Sequence, residues 1–294
     1  MKRNWGIVLL GFALLLVVPM IVPGPVSADN DVMDYVAAPP GTKLAIFYYR
    51  HISANKLYSD GSKISDDANL SANIGILRGV YYTKLGPLTI DPQFLLPFGH
   101  QDLDGAAFGN SEISAQGLAD LILTATIWFI DDPKSKTWFG FTPFIFIPIG
   151  DYDEDRALNL GENRWSFKPE FGFAKGFDKW HIDLTAALQF YGDNDDFMGN
   201  STLEQDPLLT LEGHLTYKFT ATFNATLDYF YHMDGETTVA GVDRNDEKDD
   251  HILGASFTWW LTPQYQLLLQ YQRAVEVENG LKTDTVGMRF LHAF

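Results

Sequence analysis

The strongest regularity along the chain is a period of two. From Leu209 to Phe219 the odd positions are Leu209, Leu211, Gly213, Leu215, Tyr217 and Phe219, and the even ones are Thr210, Glu212, His214, Thr216 and Lys218. Trp180 to Phe190 repeats the pattern, with Ile182, Leu184 and Leu188 against His181, Asp183, Thr185 and Gln189. Phe223 to Met233 places Asn224, Thr226, Asp228 and His232 on one face. Side chains alternate across a strand, so each segment has one apolar and one polar face. Twelve such segments are predicted, near 43–51, 70–84, 87–98, 116–130, 137–149, 163–176, 179–191, 207–220, 222–233, 251–262, 264–276 and 281–294. The first three are the least regular, because Arg78 and the pair Tyr81-Tyr82 blur the alternation.

The connections alternate in length. Those at 84–87, 131–136, 177–179, 220–222 and 262–264 are short, and those at 52–69, 99–115, 150–162, 192–206 and 234–250 are long. The long ones hold 23 of the 38 acidic residues, so charge is segregated to one end. A soluble sandwich would alternate too, but here the apolar faces reach five or six positions and carry aromatics near their ends, as an interfacial girdle would. The fold class expected is all-β: one transmembrane antiparallel β-barrel of twelve strands over 43–294, with short periplasmic turns and long outer loops. An even strand count places both termini in the periplasm. Residues 29–42, with Pro39-Pro40-Gly41, read as a short periplasmic lead, and no segment reads as a plug domain for active import.

The N-terminus changes the picture by giving an address. Lys2 and Arg3 precede an apolar run from Ile7 to Val18, then Pro19 to Pro25 and the small-residue site Val26-Ser27-Ala28. This is the layout of a cleaved signal peptide over 1–28, and the run is shorter than the roughly 20 residues of a spanning helix. There are 0 cysteines, which excludes disulfides and thiolate metal sites. The formal charge of −17 argues against nucleic acid, whose phosphates need a basic surface. Aromatic residues make up 14% of a chain whose mean hydropathy is only −0.08, as suits strands facing lipid on one side and water on the other.

The chain ends in an alternating strand, Thr285 to Phe294. This resembles the last strand of bacterial outer-membrane barrels, where a terminal aromatic such as Phe294 is part of the sorting signal. A second resemblance lies in the middle of the chain, in Gly117-Leu-Ala-Asp-Leu121, Pro148-Ile-Gly-Asp-Tyr152, Leu160-Gly-Glu-Asn-Arg-Trp165 and Pro169-Glu170. It is similar to the outer-membrane barrel family known as MetA-pathway of phenol degradation, with Ala119 where a glycine is usual. The resemblance implies a channel in the Gram-negative outer membrane for passive uptake of small hydrophobic or aromatic molecules. The implied partners are outer-membrane lipid and lipopolysaccharide, the barrel-assembly machinery and the solute. A closed barrel with a structural or surface-binding role through its acidic loops remains open beside it.

The polar faces define a candidate lumen lining: Asp120, Lys168, Glu170, His181, Asp183, Glu212, His214, Asp228 and Arg289, with Lys218, His232, Gln266 and Gln270. Both signs are present, whereas a strongly selective ion pore would show a ring of one sign. Asp120 reads as either a solute contact or a member of a structural ion pair. Phe144, Phe146 and Trp260 share the inward register, either as an apolar slide or as filler.

Two other chemistries are weighed. Asp151, Asp153, Asp155 and Glu162 have the spacing of acidic ligands in a calcium loop, but Arg156 stands where the turn wants glycine. Weak Ca²⁺ or Mg²⁺ binding at these loops and plain solvated acids are both open, and no other cofactor is expected. His292, the pair His232 and Asp234, and the pair Asp250 and His251 are the only arrangements suggestive of hydrolysis. His292 lies at the periplasmic end with no serine on its strand, and adjacent acids and histidines arise by chance in loops this acidic, so no enzyme is expected.

Overall fold

The computed structural model describes residues 29–294, so the expected signal peptide at 1–28 lies outside the described residues. Twelve antiparallel strands form a closed barrel: β1 (Lys43–Ser59), β2 (Asn69–Tyr81), β3 (Leu88–Asp104), β4 (Ile113–Leu118 continuing as Leu121–Asp132), β5 (Thr137–Ile147), β6 (Ser166–Phe177), β7 (Trp180–Tyr191), β8 (Leu208–Lys218), β9 (Phe223–Asp234), β10 (Lys248–Trp260), β11 (Tyr265–Glu276) and β12 (Gly280–Ala293). Each pairs with its sequence neighbours, and β12 closes on β1 from Leu44↔Ala293 to Tyr58↔Gly280. Closure leaves no exposed edge along that seam, which is what allows a sheet to live in lipid. The exposed C-terminal Phe294 donates its N–H to the Lys43 carbonyl at 2.9 Å, so it sits on the same seam.

The outward face is apolar and the period of two explains it. On β6 the outward residues Phe167, Phe171, Phe173 and Phe177 are all exposed, while Lys168, Glu170 and Ala174 between them are buried. The run from Phe167 to Phe177, at about 3.4 Å per residue and a tilt of roughly 40°, spans roughly 25 Å, the height of an outer-membrane apolar band. Exposed Tyr81, Phe129, Trp180, Phe219 and Trp259 ring one end and Tyr49, Trp165, Phe190 and Tyr271 the other.

Several strands run further than the alternation alone suggests. β1 continues to Ser59, β3 to Asp104, and β10 begins at Lys248, so parts of the expected long loops are strand. The extensions are polar because they rise above the lipid, where no outward apolar pattern marks them. Above β7–β10 a small four-stranded sheet (Asn194–Phe197, Ser201–Gln205, Thr237–Val239, Val242–Asp243) forms a cap.

The largest difference from expectation is residues 29–42. They are not a free lead. Gly41 N–H bonds the Tyr82 carbonyl at the turn end, and the chain then runs back inside the barrel, where Asn30, Asp31, Val32 and Tyr35 are buried. A tight turn (Asp34 N–H to Asp31 carbonyl, Val36 N–H to Met33 carbonyl) folds the segment onto itself. No periodicity marks it in the sequence, because a segment with barrel wall on every side has no lipid face.

Candidate functional site

The inserted segment, hereafter the plug, is held from two sides. On one side three arginines of neighbouring strands meet its aspartates: Arg289 Nη1 on β12 lies 2.8 Å from Asp31, Arg78 Nη1 on β2 lies 2.8 Å from Asp34, and Arg50 on β1 lies 3.9 Å from Asp29. Arg289 also reaches Asp34 at 3.5 Å and donates to Gln266 at 2.6 Å, while Arg78 donates to Tyr48 and Gln93. On the other side the plug mostly donates. Asn30 gives its N–H to Glu212 at 3.0 Å and its side-chain amide to Glu170 at 2.8 Å. Tyr35 OH donates to Glu170 at 2.9 Å and lies 2.7 Å from Thr142, and Trp128 Nε1 donates to the Tyr35 carbonyl. Charged partners make these among the stronger hydrogen bonds available.

Sterics agree with this seating. A Cβ on Gly172 would fall 2.2 Å from the Tyr35 ring, so a glycine on β6 is what lets the ring lie flat on the wall.

Most of the lining expected from sequence faces inward. Lys168, Glu170, His181, Asp183, Glu212, His214, Asp228, Arg289, Phe144 and Phe146 are all buried. Trp260 is half-buried against the inner apolar cluster. The structure gathers the polar ones into local sets: Lys168 with Glu170 at 3.5 Å, His181 with Asp183 at 3.1 Å, and His214 with Asp228 at 2.7 Å, which also receives Ser256. His232, Gln266 and Gln270 follow the same register, and Lys218 is half-buried near the turn end. Sequence reasoning missed the plug residues and, of the arginines that hold them, Arg50 and Arg78; Arg289 was expected in the lining. The available signal was Arg78, an isolated charge on the face that carries Leu70, Ala72, Ile74 and Ile76.

Asp120 makes no ion pair among the described residues. It falls at the break in β4, where its two oxygens accept N–H bonds from Gly150 and Glu162, both at 2.9 Å. Gly150 and Gly161 pack backbone to backbone beneath it, since a Cβ on Gly150 would lie 2.8 Å from Gly161 Cα and from Asp120 itself. Asp151 completes the brace: its carboxylate accepts the Leu118 N–H and its own N–H bonds the Leu118 carbonyl. The motifs 117–121, 148–152 and 160–165 are thus one structural unit that pins the β5–β6 loop to the wall.

Asp151, Asp153, Asp155 and Glu162 do not converge. Asp153 binds Arg156 at 3.0 Å, and Glu162 lies 3.4 Å from Arg164. Among the described residues no group of three or more His, Asp or Glu side chains is placed to hold a metal ion. His292 stacks on Tyr265 and meets Phe294 edge to face, and His251 lies on Tyr231.

Two cavities flank the brace. A chamber of about 370 Å³ occupies the loop half of the lumen, with Asp29 in its floor and Ile74, Phe146, Leu160, Leu203 and Ile252 in its walls. A more open cavity of about 750 Å³ lies outside, along the upper part of β4, lined by Phe98, Gln116, Gly117, Leu118 and Asp151. Tyr152, Asn159 and Leu160 line both. The upper part of β4 pairs with β3 alone, because β5 stops at Ile147, opposite Leu121. The barrel wall is therefore interrupted here and closed only by the braced loop.

Comparison with known proteins follows the same lines. The profile of a family described as "Putative MetA-pathway of phenol degradation" matches residues 54–290. A solved COG4313 outer membrane channel from Pseudomonas putida F1 is 32% identical, with a TM-score of 0.86 over 90% of this chain and 100% of that one. At 9% identity, a TodX deltaS2S3 mutant monoaromatic hydrocarbon channel has a TM-score of 0.53 over 87% of this chain and 90% of that one. The beta domain of the Bordetella autotransporter BrkA, at 10% identity, gives 0.51 over 87% and 100%. These last two share the barrel fold alone. A search of curated proteins finds no match.

Proposed function

Because the chain belongs to the family described as "Putative MetA-pathway of phenol degradation", and is a β-barrel channel of the Gram-negative outer membrane, we propose that it takes up small hydrophobic or aromatic molecules through the side of its barrel. The short-turn end would face the periplasm and the long loops the outside, as barrels of this class are built.

The interrupted wall beside the upper part of β4 carries this reading. The plug lies inside the barrel, while the loop half of the lumen is a chamber of mixed lining, with Ile74, Phe146, Leu203 and Ile252 beside Arg164, Lys248, Asp246 and Asp250, and its residues Tyr152, Asn159 and Leu160 also line the outer cavity. Leu118 and Phe98 border the gap on the outside and face lipid. A neutral apolar solute entering the chamber loses little water-bonding and gains contact with Ile74, Phe146 and Ile252, and it leaves into hydrocarbon without crossing the plug. The driving force is the gradient and the favourable transfer of apolar surface out of water. The TodX neighbour is itself named as a monoaromatic hydrocarbon channel, which agrees in kind.

A test uses the absence of native cysteine. Gln116→Cys places one thiol on the rim of the outer cavity, and a bulky maleimide there fills the gap. Labelled cells are expected to take up toluene about tenfold more slowly, with the small ion conductance of the refolded protein unchanged. Equal uptake before and after labelling would rule out the lateral route. A large steady conductance in the unlabelled protein would instead indicate an open axial pore.

A further inference from the structure

The three arginines that hold the plug are arranged as a ligand site. Arg50, Arg78 and Arg289 come from the adjacent strands β1, β2 and β12 and point at one place in the lumen. What fills that place is a set of carboxylates, those of Asp29, Asp31 and Asp34, which belong to the chain itself. Arg78 and Arg289 carry further donors aimed at Tyr48, Gln93 and Gln266, which fix the guanidinium planes. The buried Nε of Arg289 has no acceptor, so the cluster offers more donor capacity than the plug uses. Apolar surface adjoins it: Ile46, Ile76 and Leu291 lie in the same buried cluster, and Tyr82 stacks on Trp128 at 5.7 Å. Forked guanidinium donors beside flat apolar side chains are the complement of a planar aromatic carboxylate.

We infer that this arginine cluster is a binding site for small aromatic carboxylates of the benzoate class, and that the plug's aspartates occupy it as an internal substitute until such an anion displaces them. Displacement would release the plug on its arginine side and open the axial path, leaving Glu170 and Glu212 to hold Asn30 and Tyr35 alone. The inference concerns a charged solute class and an axial opening, so it stands apart from the lateral uptake of neutral molecules. Because the plug is tethered at Gly41, its carboxylates compete at a high effective concentration. The wild-type site therefore binds an added carboxylate weakly, and removal of the competing charges exposes its intrinsic affinity.

The experiment is calorimetric titration of the full-length protein in detergent micelles with sodium benzoate, sodium sulfate and toluene, at chloride-matched ionic strength. Asp31→Asn with Asp34→Asn is expected to bind benzoate at least about tenfold more tightly than wild type. Arg78→Lys with Arg289→Lys keeps the charge but loses the fork, and benzoate binding is expected to vanish. If the aspartate variant does not fold, Gly172→Val replaces it, since it evicts Tyr35 and leaves the arginines and aspartates intact. No benzoate binding in either plug-loosened protein, equal binding in the lysine variant, or equal binding of sulfate would each overturn the inference. Toluene uptake by cells is read separately, so failure here leaves the lateral reading standing or falling on its own assay.

Discussion

The inner wall of the barrel differs between its two arcs. From β1 to β5 the inward side chains include Ile46, Leu70, Ile74, Ile76, Leu95, Ile122, Trp128, Phe144 and Phe146, and one buried apolar cluster joins them to Tyr35 of the plug and to Leu158 and Leu160 of the braced loop. From β6 to β11 the inward side chains are Lys168, Glu170, His181, Asp183, Glu212, His214, Asp228, Ser256, Gln266 and Gln270, bonded mostly to one another. The polar arc bonds largely within itself and, through Glu170 and Glu212, to the plug. The apolar arc is completed by the plug below and the loop above. A barrel of twelve strands is too wide for its side chains alone to fill and too narrow for an open pore of porin width. Here the remaining space is divided between the chain's own N-terminal segment and a chamber of mixed polar and apolar lining.

Removing the plug should change the molecule most. Gly172→Val puts side-chain carbon where the Tyr35 ring lies. Its bulk is tolerable in an otherwise regular strand, while overpacking against a seated plug costs about 1–3 kcal/mol. Single-channel current through the refolded variant is expected to rise by about an order of magnitude over wild type, as the axial path opens. Unchanged current would mean that the plug is not what closes the lumen.

The polar arc should respond in stability rather than conductance. Asp228→Ala leaves His214 and Ser256 without their shared acceptor in a site with no water access. Breaking a buried charged pair by removing one partner costs about 3–5 kcal/mol. The expected outcome is a clear fall in the urea midpoint of the folded barrel, followed by gel mobility, with conductance near the wild-type level. A loss well below about 1 kcal/mol would show that the polar arc is more loosely organised than its geometry implies.

The two arcs also differ in how legible they are in the sequence. On β7, β8 and β9, lipid outside and polar network inside give the sharpest possible contrast, and Leu184, Leu215 and Leu227 against Asp183, His214 and Asp228 identify both faces. On β1 and β2 the inward face is largely apolar too, since it meets chamber or plug. The period of two weakens for that reason, and Arg78 looks like noise although it is the residue that binds the plug. The plug itself leaves no trace in the pattern. Asp31 is 258 positions from its partner Arg289, and no local regularity foretells such a pairing. The braced loop was visible as motifs but not as a device: that Asp120 holds two backbone donors depends on where Gly150 and Glu162 arrive in space.

The smallest expected effect lies at the seam where the apolar arc meets the outside. Asp120→Ala removes the acceptor for the Gly150 and Glu162 N–H groups without touching the chamber walls. Hydrogen bonds to a charged acceptor are each worth about 1.5–3 kcal/mol, but the loop keeps its Asp151 bonds to Leu118, so the loss should be local. Faster amide exchange across 148–165, with the urea midpoint of the barrel little changed, is the expected signature. If the loop is the lateral gate, toluene uptake should also quicken modestly, while current stays low because the plug is still seated. Faster exchange with unaltered uptake would separate the loop's stability from passage, and would place the rate-limiting step in the chamber or at its mouth.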